Sequence, residues 1–138
     1  MEAKAVWKGN MLFDASAGSG FSLPLDTSVE SGGQNSGMRP IELMLVGLAG
    51  CTAMDVISIL KKKRQDVSNF EVRVHGDRAA DHPKYFTDIQ VEYVVTGLNI
   101  DRESVERAVE LSVEKYCSVQ AMLKHAANIT HKITLIEG

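Results

Sequence analysis

Pro40-Ile41-Glu42-Leu43-Met44-Leu45-Val46-Gly47-Leu48-Ala49-Gly50-Cys51-Thr52-Ala53-Met54-Asp55-Val56 is the stretch on which the fold turns. Ile41, Leu45, Leu48, Thr52, Val56 and Ile59 recur at three- and four-residue spacing, which predicts one long helix over 40–64. Pro40 suits its first turn, where a missing N–H costs nothing. Lys61, Lys62, Lys63 and Arg64 close it with cations that complement the helix dipole. Leu43, Met44, Val46, Ala53 and Ile57 make the remaining faces apolar too. A helix apolar nearly all round belongs in the middle of a protein. A chain of 138 residues supplies limited cover for it, which points to an oligomer. Glu42, Asp55, Ser58 and two glycines argue against a membrane span, since a central carboxylate is costly in lipid.

On the N-terminal side the reading is short strands. Ala3–Lys8 alternates weakly, Gly9-Asn10 signals a turn, and a second strand begins at Met11–Phe13. Phe21–Leu25 reads as a third, and Pro24 inside it marks an edge strand or an irregular one. Ser31-Gly32-Gly33-Gln34-Asn35-Ser36-Gly37 is a flexible loop by composition. On the C-terminal side Phe70–Arg78 and Phe86–Thr96 alternate as strands. Asp101 is a good N-cap for a helix over 102–116, and Ser118 for a shorter one near 119–127. Ile129–Ile136 reads as a last strand. With no repeat or linker between them, strands, helix, strands, two helices and strand make one α+β domain over 1–138, its sheet mostly antiparallel.

Composition narrows the function. Net charge is −3, and the 15 basic residues are mostly scattered, so no nucleic-acid partner is expected. Met1–Trp7 contains no apolar run of signal-peptide length. Two cysteines are too few for a secreted disulfide framework. A cytoplasmic location follows as the default, with no membrane partner, and there the thiols start reduced.

Those two cysteines hold the candidate chemistry. Cys51 shares a helix side with Met44, Gly47, Asp55 and Ser58, smaller and more polar than the main stripe. It reads either as a nucleophilic thiolate or as a buried inert cysteine. A thiolate in mid-helix gets little help from the dipole and needs a cation from another element, with Arg39, Arg78, Lys8 and Lys84 as candidates. Cys117, in Glu114-Lys115-Tyr116-Cys117-Ser118-Val119, is open to the same two readings. Glu42 lies nine residues before Cys51, half a turn out of phase and about 13 Å along a regular helix. It reaches that thiol only if the helix breaks or if it serves a second subunit. Otherwise it simply favours the helix N-terminus. His75, His82, His125 and His131 are dispersed and neither cysteine has zinc-motif spacing, so no metal and no cofactor are expected.

The run from Pro40 through Glu42 to Cys51 resembles the first signature of the OsmC/Ohr family, and Glu114-Lys115-Tyr116-Cys117-Ser118-Val119 resembles its second. Asp55–Leu60 and Asn128-Ile129-Thr130-His131 look like the family's YhfA-like branch. The resemblance implies an OsmC-like fold in an intertwined homodimer, with sites at the subunit interface. It implies thiol-dependent reduction of organic hydroperoxides, with a lipoyl-type dithiol as reductant. By position Cys51 matches the peroxide-attacking cysteine and Cys117 the resolving one. Glu42 matches the glutamate that positions a catalytic arginine and reaches the other subunit's site. The family's arginine lies in the N-terminal strands. This chain has none before Arg39, which is the candidate replacement. That departure favours a rival reading, a non-catalytic binding protein for small apolar or electrophilic molecules on the same scaffold.

Overall fold

The computed structural model describes residues 1–138. It falls into two compact units, Met1–Met44 and Leu45–Gly138.

The first unit is a three-stranded antiparallel sheet in the order β1 (Ala3–Trp7), β2 (Phe13–Ala17) and β3 (Ser22–Leu25). Gly9 and Asn10 turn the first hairpin at φ of 106° and 49°. Pro24 sits on β3, an edge strand, where it removes no ladder donor from the interior. The glycine-rich loop that follows is tied rather than loose. Asp26, only 4% exposed, accepts hydrogen bonds from the backbone N–H groups of Thr27, Gln34 and Ser36 and from the Ser36 hydroxyl. A short 3-10 turn over Val29–Ser31 lies inside the clasp. Gly33 and Gly37 let the loop pass close to the carbonyls of Thr27 and Pro24, where a side chain would collide.

The long helix, α1, runs unbroken over Glu42–Lys62. It is apolar and long enough to cross a membrane by length and composition alone. Within the second unit its stripe of Leu48, Thr52, Val56 and Leu60 is buried, while Val46 and Met54 are 50% and 73% exposed. One chain therefore covers one face of this helix, which bears on the oligomer expected from its composition.

The second unit pairs β4 (Asp66–Arg78) with β5 (Phe86–Leu98) as a long antiparallel hairpin. β6 (Asn128–Glu137) lies parallel to β5, from Asp88↔Asn128 to Gly97↔Glu137. This pairing is the exception in a fold whose other ladders are antiparallel. Parallel neighbours require a crossover, and residues 99–127 provide it with α2 (Arg102–Leu111), a π-helical turn (Ser112–Tyr116) and α3 (Ser118–Leu123). Asp101 caps α2 as expected, accepting the Ser104 N–H at 3.1 Å. β5 is the middle strand, with Ile89, Val91, Tyr93 and Val95 at 0–1% exposure. They form the core with Leu48, Val56 and Leu60 of α1 and with Val105 and Ala108 of α2. Each of the buried Val, Leu and Ile side chains contributes about 1.5–3 kcal/mol by leaving water.

Candidate thiol site

The second unit brings Cys51 and Cys117 together. Their sulfurs and a carboxylate oxygen of Asp55 all lie within 4.8 Å of one another. Both thiols are free, Cys51 half-buried and Cys117 only 3% exposed. Asp55 joins because it follows Cys51 by four residues, one turn further along the same side of α1.

Cys117 is placed by a change of helical register. The chain widens into a π turn over Ser112–Tyr116, closed by the Cys117 N–H donating to the Ser112 carbonyl at 2.8 Å. Cys117 then turns extended, at φ −76° and ψ 102°. It, rather than Ser118, is the N-cap of α3, its sulfur accepting the Gln120 N–H at 3.4 Å. Side-chain periodicity carries no mark of a shift from i→i+4 to i→i+5 bonding, so the helix expected over 102–116 is in fact α2 to Leu111 and then the π turn. Burial first, and then the hydrogen bond it shares with Cys51, push the Cys117 thiol well above the usual thiol range.

A line of hydroxyls supports the site from behind. Tyr93 Oη and Thr52 Oγ1 are 2.9 Å apart, Thr52 Oγ1 and Ser112 Oγ 2.8 Å, and Ser112 donates to Asp55 Oδ2 at 2.9 Å. Desolvation raises Tyr93 to about 12, with smaller contributions from Cys117 and Asp55, so it stays a neutral phenol. Thr52 belongs to the apolar stripe that predicts the long helix, and Ser112 falls inside the helix expected over 102–116. The overlooked signal was a hydroxyl at a core position on each of two helices. Next to the phenol, His131 stacks on Tyr93 with ring centroids 6.1 Å apart. Its Nε2 is buried without a hydrogen-bond partner, and desolvation lowers its pKa below the ordinary histidine value.

Arg39 and Glu42 belong to the first unit. Glu42 Oε1 accepts the backbone N–H of Arg39 at 2.8 Å, and the Arg39 guanidinium donates to the Gly37 carbonyl at 3.0 Å. Glu42 thus accepts a backbone donor at the start of α1 and makes no ion pair with the guanidinium. The helix between Glu42 and Cys51 has no break.

A three-stranded sheet leading into a long helix, followed by a crossover that returns a second cysteine to that helix, defines a dithiol protein of the OsmC type. The sequence pattern of the OsmC-like protein family matches residues 33–132, and the chain belongs to that family. It is 40% identical to protein YhfA of Escherichia coli K12, over 99% of this chain and 98% of the relative. A hypothetical protein from Aquifex aeolicus superposes with a TM-score of 0.86 at 32% identity, covering 99% of this chain and 96% of that one. An organic hydroperoxide resistance protein OsmC from Legionella pneumophila gives 0.71 at 18% identity, over 96% and 95%, a likeness of fold.

Proposed function

We propose that this protein is a dithiol peroxidase that reduces organic hydroperoxides to alcohols in the cytoplasm, as one domain spanning residues 1–138. The observation that carries the reading is the meeting of Cys51 and Cys117 from two elements 66 residues apart. A protein that keeps two free thiols this close, one of them half-exposed, is equipped to form a disulfide and release it.

The Cys51 thiolate attacks one oxygen of the hydroperoxide. An S–O bond forms, the O–O bond breaks, and the alkoxide leaves as alcohol after taking a proton. Cys51 is then a sulfenic acid. Cys117 attacks its sulfur, an S–S bond forms and water departs. An external dithiol of the lipoyl type accepts the disulfide by exchange and returns both thiols. The family suggests that donor. The exposed face of α1 with Val46 and Met54 supports assembly as a homodimer. In that assembly Glu42 of one subunit would serve the thiols of the other, with Arg39 supplying the guanidinium.

The test is peroxide consumption with dihydrolipoamide as donor, comparing cumene hydroperoxide with hydrogen peroxide. The expected result is turnover that prefers the organic peroxide and vanishes in Cys51→Ser, with one intramolecular disulfide in the wild type after a stoichiometric dose. Unchanged thiols and no turnover with any dithiol would overturn the reading in favour of a non-catalytic binding protein.

A further inference from the structure

Cys51, Cys117 and Asp55 bring two sulfurs and a carboxylate oxygen within 4.8 Å of one another, and every one of these donors becomes an anion when it ionises. No lysine, arginine or histidine makes an ion pair with Asp55. These three donors converge in a partly buried place, and no cationic side chain is paired with the carboxylate.

We propose that Cys51, Cys117 and Asp55 form a three-ligand site for a borderline divalent cation of the zinc class. Two thiolates and one carboxylate are a donor set that suits such an ion, and a tetrahedral centre with three protein ligands keeps one corner open. Hard cations such as magnesium and calcium prefer oxygen donors and are disfavoured here.

The surroundings are those of a metal ligand set. Ser112 donates to Asp55 Oδ2, leaving the other carboxylate oxygen free, and Thr52 and Tyr93 hold Ser112 in turn. Outer hydrogen bonds of this kind orient coordinating groups. The Gln120 N–H points at the Cys117 sulfur, where it stabilises a coordinating thiolate. The ligands escape zinc-motif spacing because two stand one turn apart on α1 and the third returns on the crossover. A cation here also competes with oxidation. Coordinated sulfurs are held as two thiolates, whereas a Cys51–Cys117 disulfide leaves Asp55 as the only donor. The inference rests on the same thiol pair as the peroxidase reading but needs no peroxide chemistry.

The experiment titrates the reduced full-length protein with Co2+ alone and then displaces it with Zn2+. Expected are a thiolate-to-cobalt charge-transfer band at one ion per chain, tetrahedral visible bands, and loss of both on adding zinc. Cys51→Ser and Cys117→Ser lose the charge-transfer intensity. Asp55→Asn and Ser112→Ala keep two thiols but bind at least about tenfold more weakly, as loss of a ligand or its outer partner does elsewhere. Circular dichroism of each variant verifies the fold, and Ser112→Thr, which keeps the hydroxyl, restores binding. Absence of the band in folded, reduced wild-type protein overturns the inference. So does equal affinity in Asp55→Asn, which would mean simple dithiol chelation. A protein that turns over peroxide yet gives no cobalt band refutes this inference alone. One that binds cobalt but reduces no peroxide refutes the peroxidase reading alone.

Discussion

Thr52 and Ser112, sixty residues apart in sequence, share a buried hydrogen bond of 2.8 Å that joins the long helix to the crossover carrying the second cysteine. The Thr52 hydroxyl also meets Tyr93 Oη, so one atom links three elements. Thr52→Val keeps the volume, strands the Tyr93 hydroxyl and takes one of two partners from Ser112, which still donates to Asp55. The expected cost is about 1–3 kcal/mol of unfolding free energy, read from urea denaturation. A loss below experimental error would mean that this chain of hydroxyls does not hold the crossover in place.

The two cysteines differ in access, and they should differ in reactivity. Cys117 is 3% exposed, Cys51 half-buried. Brief treatment of the reduced, metal-free protein with iodoacetamide near neutral pH is expected to label Cys51 ahead of Cys117. Peptide mass spectrometry reads the order directly. Labelling of Cys117 first would reverse the proposed division between attacking and resolving sulfur.

Asp26 makes the glycine-rich loop sensitive to acid. Its hydrogen bonds, chiefly from the Ser36 hydroxyl and the Thr27 N–H, lower its pKa from 3.8 to about 2. A carboxyl whose folded pKa is depressed stabilises the fold above its unfolded value, and this contribution is lost as pH falls through the folded one. The amide resonances of Thr27, Gln34 and Ser36 are expected to titrate together with a midpoint near 2. In Asp26→Asn that titration disappears. A midpoint at the ordinary carboxyl value would mean that the clasp is open in solution.

His131 carries the opposite charge logic and the same pH sign. Burial favours its neutral ring, so its folded pKa lies below the ordinary 6.5. Its contribution is full above that value and is lost as acid charges the ring. His131→Phe removes a buried nitrogen that has no partner. The variant should match or exceed the wild type in stability near pH 5, with a flatter pH dependence below 6.5. A steeper slope in the variant would contradict the assignment.

The sequence was legible where one period ran long enough to be counted. The spacing from Ile41 to Ile59 placed α1, observed over Glu42–Lys62, and the alternation of Ile89, Val91, Tyr93 and Val95 placed β5. The Asp101 cap was readable because its partner lies three residues away. What stayed hidden depends on pairing between distant residues. Alternation along Ile129–Ile136 is the same whether a strand runs parallel or antiparallel, so the orientation of β6 could not be read. The π turn leaves no spacing of its own, and it hid the capping role of Cys117. Of the site, both cysteines stood out as residue types and Asp55 by its turn of helix. Ser112 and Tyr93 became visible only when the crossover folded back onto α1.

The parallel pairing of β5 with β6 also sets when the thiols can meet. Non-local, parallel contacts are among the slowest to form, because loop closure comes before any reward. Here the loop to be closed is residues 99–127, and Cys117 rides on it. Proximity of the two sulfurs is then expected late in refolding, with both cysteines open to reagents until the crossover closes. Pulse-labelling during refolding would date the closing of the crossover, with the cysteines serving as the fold's own clock.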